Sequence, residues 1–265
     1  MAFDLDLYKQ RTGRLNLDGI EFEAFEEVPL DPATLRCLQY MHDVEHHTVC
    51  YLRDLLVTSA HRDHEITSFM SFWVHEEYWH GEAIAEVLRR HGLAGGADRI
   101  VPMRHSLTIK DRLMPFTHMA GSAIAGPSFL AVLMTWGAVN EWTTQAGYGR
   151  LAQLADHPVL SELLKRIMRQ EGLHIDFYSS QAAARLERDR RAQRLTRFAL
   201  DRLWQPVGAN VMPPAEVEHL IAHLFSGEEG RAATERIDRR IDRLPGLEGL
   251  GIVSRAAGTA GRTSR

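Results

Sequence analysis

The 265-residue chain contains two cysteines and three lysines, and no apolar run approaches the roughly eighteen residues needed to span a bilayer. Each scarcity excludes something. Cys37 and Cys50 stand thirteen residues apart on one predicted helix, about 20 Å along its axis, so they cannot pair with each other; this suits a reducing cytosol. The N-terminus, MAFDLDLYKQR, begins acidic and lacks the charged-then-apolar pattern of an export signal. A cytoplasmic location without a membrane span is therefore expected. Excess positive charge is lacking too. Lys and Arg number 31 against 35 Asp and Glu, a formal charge of −4, which leaves no field to hold a nucleic-acid backbone, and nucleic acid is not expected as a partner. The basic runs Arg185 to Arg197 and Arg236 to Arg243 are interleaved with Glu187, Asp189, Asp201, Asp238 and Asp242. That is the pattern of a solvated helix face, with a docking surface for an acidic partner as the alternative.

Sustained two-residue alternation is absent as well, so the fold class is all-α. Asp31 as N-cap with Pro32 at the first helical position opens a long helix running to about Ser59. A second starts near Asp63 and stops at Gly92, a glycine placed for the left-handed C-terminal conformation. Residues 92–110, with Gly92, Gly95, Gly96 and Pro102, read as a connector, and Asp111 can cap a shorter helix to about Ala125. A third long helix follows from about Pro127 to Ala155, and a fourth from the DHP at 156–158 to about Arg188. Shorter helices are expected up to Pro206, from about Pro214 to Phe225, and from about Glu228 to Leu244. The expectation is one compact domain over residues 1–245, with a four-helix core bundle at about 31–190 and extra helices at 191–245. The small, polar end at 246–265 reads as a disordered tail.

The stretch WVHEEYWHGEAI, residues 73–84, carries the first sign of chemistry. Glu77 and His80 form E-x-x-H, which on a helix places both side chains about 60° apart on one face, within reach of one ion. Alone the motif is weak, but Glu171 and His174 repeat it on the fourth long helix. Each is preceded by a long helix with a candidate glutamate: Glu45 lies 32 residues before Glu77, and Glu141 lies 30 before Glu171. All four glutamates share a helix row with apolar residues, so they point inward. Desolvating four carboxylates costs several kcal/mol each unless cations compensate them. Four carboxylates and two imidazoles are a donor set for iron or manganese, whereas structural zinc would call for thiolates. One Glu from each of two helices plus Glu-x-x-His from each of two others is the dimetal pattern of ferritin-like bundles.

Among the neighbours, Glu76 and Gln170 are placed to hydrogen-bond the imidazole of the opposite half, Glu76 to His174 and Gln170 to His80, and facing solvent is the alternative. His42, His46, His47, His75 and His91 read as surface or boundary groups. Trp73, Trp79, Trp136 and Trp142 read as packing. The small and apolar row Ala131, Met134, Gly137 and Ala138 suits close helix packing, with room for an alkyl chain as the other reading.

WVHEEYWHGEAIAEVL, NEWTTQAGYGRLA and RQEGLHIDFYSSQAAA resemble three helix segments of the soluble acyl-acyl-carrier-protein desaturases, over roughly residues 30–190. The resemblance implies a ferritin-like bundle with two iron ions, manganese being compatible at one site. It also implies an enzyme using O2 and two electrons to introduce a double bond into an acyl chain. It makes Glu45, Glu77, His80, Glu141, Glu171 and His174 the metal ligands and places Thr144 near the O2 side of the centre; an ordinary helix threonine bonded to its own backbone is the plainer reading. It further implies an acyl chain on a carrier protein as substrate, an electron donor such as ferredoxin, and a homodimer. Two departures stand out: Gln170 occupies a position where the family has Asp, and the leader before the first long helix is reduced. The same six ligands also support a monooxygenase or N-oxygenase acting on a specialised metabolite. A ferroxidase or metal-binding protein without an organic substrate is a different class.

Overall fold

The computed structural model describes residues 3–107 and 109–263, and among them every regular element is helical. In chain order these are α1 (Leu5–Arg11), α2 (Ala24–Glu27), α3 (Pro32–Leu56), α4 (His64–Arg90), α5 (Ala97–His105) and α6 (Ile109–Ala125). Then come α7 (Phe129–Ala155), α8 (Pro158–Arg188), α9 (Arg190–Leu203), α10 (Pro214–Phe225), α11 (Gly227–Ile241) and α12 (Ile252–Thr263). The protein is all-α.

The ends of the long helices follow from their capping residues. Asp31 accepts hydrogen bonds from the N–H groups of Ala33 and Thr34 at the start of α3, and Asp63 does the same for Glu65 and Ile66 on α4. Gly92 stops α4 with φ at +69°, and the Leu93 N–H closes back on Leu88 O at 3.0 Å. Asp156, at φ +45°, breaks α7, and Pro158 opens α8.

α3 packs along α4 and α7 along α8; contacts of α4 with α8 and of α3 with α7 join the two pairs. Two apolar clusters fill the interior. One contains Phe69, Met70, Met134, Ala138, Phe177 and Tyr178; the other Leu38, Ile84, Leu88, Leu151, Leu164 and Ile167. The level between them on each of the four long helices holds Glu45, Glu77 with His80, Glu141, and Glu171 with His174. A polar layer is thus enclosed between two dry cores.

Three expectations need correction. The supposed connector at 92–110 contains α5, held down by buried Ile100, by Arg99 paired with Asp43 (Nε to Oδ1, 2.7 Å), and by Arg104 donating to His46 O at 2.6 Å. Asp111 lies inside the first turn of α6 instead of capping it. The tail at 246–265 contains α12, whose first N–H groups, from Val253 and Ser254, are accepted by the Asp238 carboxylate; Leu247, Leu250, Ile252 and Val253 are buried. Its aliphatic start outweighs the small, polar remainder; Ser264 and Arg265 lie outside the described residues. The reduced leader forms α1 and α2 and buries Tyr8, Leu15 and Phe25.

Among the described residues one stretch, Asp111–Ala155 through α6 and α7, is long and apolar enough to cross a membrane; 44% of its apolar window is buried inside the fold. For α7 the composition follows from its place in the interior, where Met134, Ala138 and Val139 are wholly enclosed.

Candidate metal centre

All six donor residues are buried: Glu45, Glu77, His80, Glu141, Glu171 and His174. Their side chains form two groups, Glu45 with Glu77, His80 and Glu171, and Glu77 with Glu141, Glu171 and His174; within each group the donor atoms lie within 4.8 Å of one another. Glu77 and Glu171 belong to both. Each E-x-x-H motif therefore contributes one shared carboxylate and one terminal imidazole, and Glu45 and Glu141 are the outer carboxylates.

The imidazoles are oriented alike. His174 Nδ1 lies 3.0 Å from both Glu171 Oε2 and Glu77 Oε1, and His80 Nδ1 lies 3.3 Å from Glu171 Oε1 and 3.8 Å from Glu45 Oε2. Nε2 of each ring points the other way, that of His80 to Gln170 Oε1 at 3.0 Å and that of His174 to Glu76 Oε2 at 2.8 Å. An amide oxygen only accepts, so His80 Nε2 carries a proton, and Nδ1, which faces the carboxylates, is the nitrogen left for a metal once its own proton is lost. Glu76 and Gln170 thus stand behind the opposite half's imidazole and are joined to each other (Gln170 Nε2 to Glu76 Oε1, 3.3 Å).

Buried atoms test whether a metal fits. Glu45 Oε2, Glu77 Oε1, His80 Nδ1 and Glu171 Oε1 are enclosed and make no well-directed hydrogen bond, although Glu77 Oε1 lies near His174 Nδ1 and Glu171 Oε1 near His80 Nδ1. Orphaned acceptors on this scale are rare in a protein interior unless a cation satisfies them. Without one, protons take its place. Burial, then the charges of Glu45 and Glu171, push the Glu77 carboxyl well above the usual range, and burial followed by Glu171 does the same to Glu141. Burial disfavours the charged form of Glu171 too, but its bonds to His174 and His80 win and hold it below the usual range. For His80 burial is likewise the largest influence, yet Glu171 and Glu45 overcome it and push the imidazole up to about 10. Residues able to hold two cations fill the layer.

Three supporting contacts escaped the sequence reading. Tyr148 donates its hydroxyl to Glu45 Oε1, and Trp73 Nε1 donates to Glu141 Oε1 at 3.1 Å, so each outer carboxylate is aimed by an aromatic from another helix. Tyr8 donates to Glu76 Oε2 at 2.6 Å, bringing the leader into the support of His174. The seven-residue spacing of Tyr148 from Glu141 marks a shared face, but nothing in the sequence couples it to Glu45.

Three histidines expected at the surface are also inside: His42, His46 and His47 are at most 6% exposed. The segment leading into α5 covers His42, and α4 covers His46. Gly96 N–H bonds His42 Nε2 at 2.8 Å, and the His46 ring fills the space a Cβ on Gly81 would occupy. His75 is exposed, and His91 is half-buried, bonded to Leu30 N–H and Val87 O.

A cavity of about 480 Å3, within the roughly 300–1,000 Å3 of small-molecule sites, reaches Glu45, Glu77 and Glu141 and is walled by apolar side chains including Phe129, Leu133, Trp136 and Tyr178. Thr144 lines it one turn beyond Glu141. The neighbouring Thr143 hydroxyl bonds back to Val139 O, whereas no such bond from Thr144 occurs among the described residues. In the small-residue row, Ala131, Met134 and Ala138 are closely packed, and Gly137 admits the Tyr178 ring, which a Cβ would meet at 2.3 Å. No protein-family model matches the chain, and no characterised protein matches it in sequence.

Proposed function

We propose that this protein is a di-iron oxidoreductase of desaturase-like type in a ferritin-like bundle, using O2 and two electrons to oxidise an acyl chain. One observation carries the reading: two four-residue donor groups share Glu77 and Glu171 and open onto a largely apolar cavity. Iron held there would supply O2 activation and removal of hydrogen from an unactivated carbon, chemistry no side chain can perform. Overall, –CH2–CH2– plus O2, two electrons and two protons gives –CH=CH– and two waters.

The chain's own residues do the rest. Glu77 and Glu171 hold the two positions at a fixed separation, while Tyr148 and Trp73 aim the outer carboxylates. Gln170 and Glu76 fix the imidazole rings. Trp136, Leu133 and Phe129 exclude water and orient methylenes, and the Thr144 hydroxyl, which lines the same cavity, would pass a proton toward the centre. A carrier protein would present the chain, and a ferredoxin-like donor would supply electrons. The expected homodimer has the apolar outer side of α6 available, where Leu113 and Phe116 are exposed.

A second reading, oxygenation of a more polar metabolite, is favoured by His47: it lines the same cavity as Glu45, two residues along α3, and its buried Nδ1 has no hydrogen-bond partner. The test loads the protein with iron, counts about two per chain, and follows O2 uptake with and without a long acyl chain on its carrier. Carrier-dependent uptake and an unsaturated product support the desaturase. Incorporation of labelled oxygen into a product supports the oxygenase, and uptake driven by Fe2+ alone supports a ferroxidase.

A further inference from the structure

The arginine run on α11 is not neutralised by the acids between its members. At about 100° per residue, Arg236, Arg239 and Arg240 share one side of α11 and Asp238 lies on the other; Asp242 caps the helix and Arg243 follows in the turn just beyond it. Both acids are engaged. Asp238 accepts from the N–H groups of Val253 (3.1 Å) and Ser254 (3.0 Å), and Asp242 accepts from Gly249 N–H (2.8 Å). Arg239 has a distant acidic partner, Glu235 at 3.7 Å on the same exposed face. Among the described residues Arg236, Arg240 and Arg243 form no ion pair.

With Arg239 they line a cavity of about 460 Å3 between α7, α8 and α11 whose wall contains no carboxylate. Its apolar lining includes Trp142, Met168 and Ile237, and a fifth arginine, Arg150, contributes from α7. Arg150 is buried and anchored by Leu224 O at 3.0 Å, Gln153 and the Glu229 carboxylate; Glu229 offsets its charge, so the free positive charge of the cavity comes from Arg236, Arg240 and Arg243. The cavity is separate from the one over the donor layer. It takes Trp142, Gln145, Gly149 and Gln153 from α7, whereas the other takes Gly137, Asn140, Glu141 and Thr144 from a different face of the same helix.

We propose that this cavity binds a phosphate-bearing small molecule, its phosphate oxygens held by Arg236, Arg240 and Arg243 and its apolar part laid against Trp142. Guanidinium forks match phosphate oxygens in pairs, and several of them on one wall suit a polyanion better than a single carboxylate. In a chain of net charge −4 the patch is a local reversal of sign that a solvated face does not require.

Calorimetric titration of the full-length, metal-loaded protein at low salt tests this with two probes, inorganic pyrophosphate and ADP. Saturable binding at one per chain is expected, weakened at least tenfold by Arg240→Glu combined with Arg243→Glu. Arg190→Glu with Arg194→Glu, the same charge change on α9, should move affinity less than twofold. Tighter binding of ADP than pyrophosphate identifies a nucleotide-like ligand lying on Trp142, and equal binding identifies the phosphate alone; either supports the site. No saturable binding of either probe overturns it, as does an equal loss in the α9 variant. Circular dichroism and metal content report whether each variant has kept its fold. None of these outcomes depends on the activity of the donor layer.

Discussion

On one side of the donor layer His80 gives its outward N–H to Gln170, a neutral amide. On the other, His174 faces Glu76, a carboxylate that also accepts from the Tyr8 hydroxyl and the Gln170 amide. Burial opposes the charge on Glu76, but the bonds from His174 and Tyr8 overcome it and hold its pKa below the usual range. A charged acceptor makes an imidazole a stronger base toward a metal than a neutral one does. The ligands are therefore repeated while their support is not, and two bound metals would be inequivalent. The outer carboxylates differ in the same way, Glu45 taking a phenol from α7 and Glu141 an indole from α4.

The comparison can be broken most completely at the shared positions. Glu77→Ala combined with His80→Ala removes a donor from both groups, so metal should fall from about two per chain to below about 0.2 after dialysis. Glu45→Ala, which touches one group, should leave about one. Elemental analysis decides, and equal residual metal in both variants would refute the sharing of Glu77.

Proton release comes next. In the metal-free protein Glu77 and Glu141 are raised above the usual carboxylate range and His80 is pushed up to about 10 by its carboxylate neighbours, so protons compete with a metal for these groups. Metal must displace those protons. Loading with Mn2+ in weakly buffered solution should therefore acidify the medium, and affinity should rise with pH by up to about tenfold per unit for each proton displaced. Affinity that is flat between pH 6 and 8 would contradict it.

A smaller effect separates the halves. Glu76→Gln should weaken metal on the His174 side by about 10–100-fold, and Gln170→Glu should tighten the His80 side, as read by chelator competition. Equal shifts in the two variants would erase the asymmetry. Smallest is Tyr8→Phe, which leaves Glu76 with its other donors and should lower unfolding free energy by about 1 kcal/mol in a denaturant titration.

Much of this was legible in the sequence because it rests on periodic signals. Asp31 with Pro32, Asp63 and Gly92 mark helix ends through local hydrogen bonding, and the doubled E-x-x-H reports a face of a helix whatever it packs against. What stayed hidden depends on partners distant in the chain. His42 and His46 look like boundary residues on α3 until Gly96 at the entry to α5 and Gly81 on α4 close over them, and α5 is anchored by the Arg99–Asp43 pair across 56 residues. Tyr8 lies in a leader with little apolar periodicity, yet its ring packs edge-on against Phe3 and Phe72 and tilted against Phe69. α12 was obscured by its own composition: its helical start is secured by Asp238 and by four buried aliphatic residues that a count of small and polar residues dilutes.

The contact of the N-terminal strap with Glu76 has a practical corollary for anyone handling this protein. Gly13 touches the network as well, its N–H reaching Glu76 Oε1 at 3.4 Å and its carbonyl accepting from Gln170 at 3.1 Å. A chain trimmed to begin at Pro32 would keep all six donors and still lose the covering of both supporting residues. Deletions at this end therefore reach the support of the centre itself.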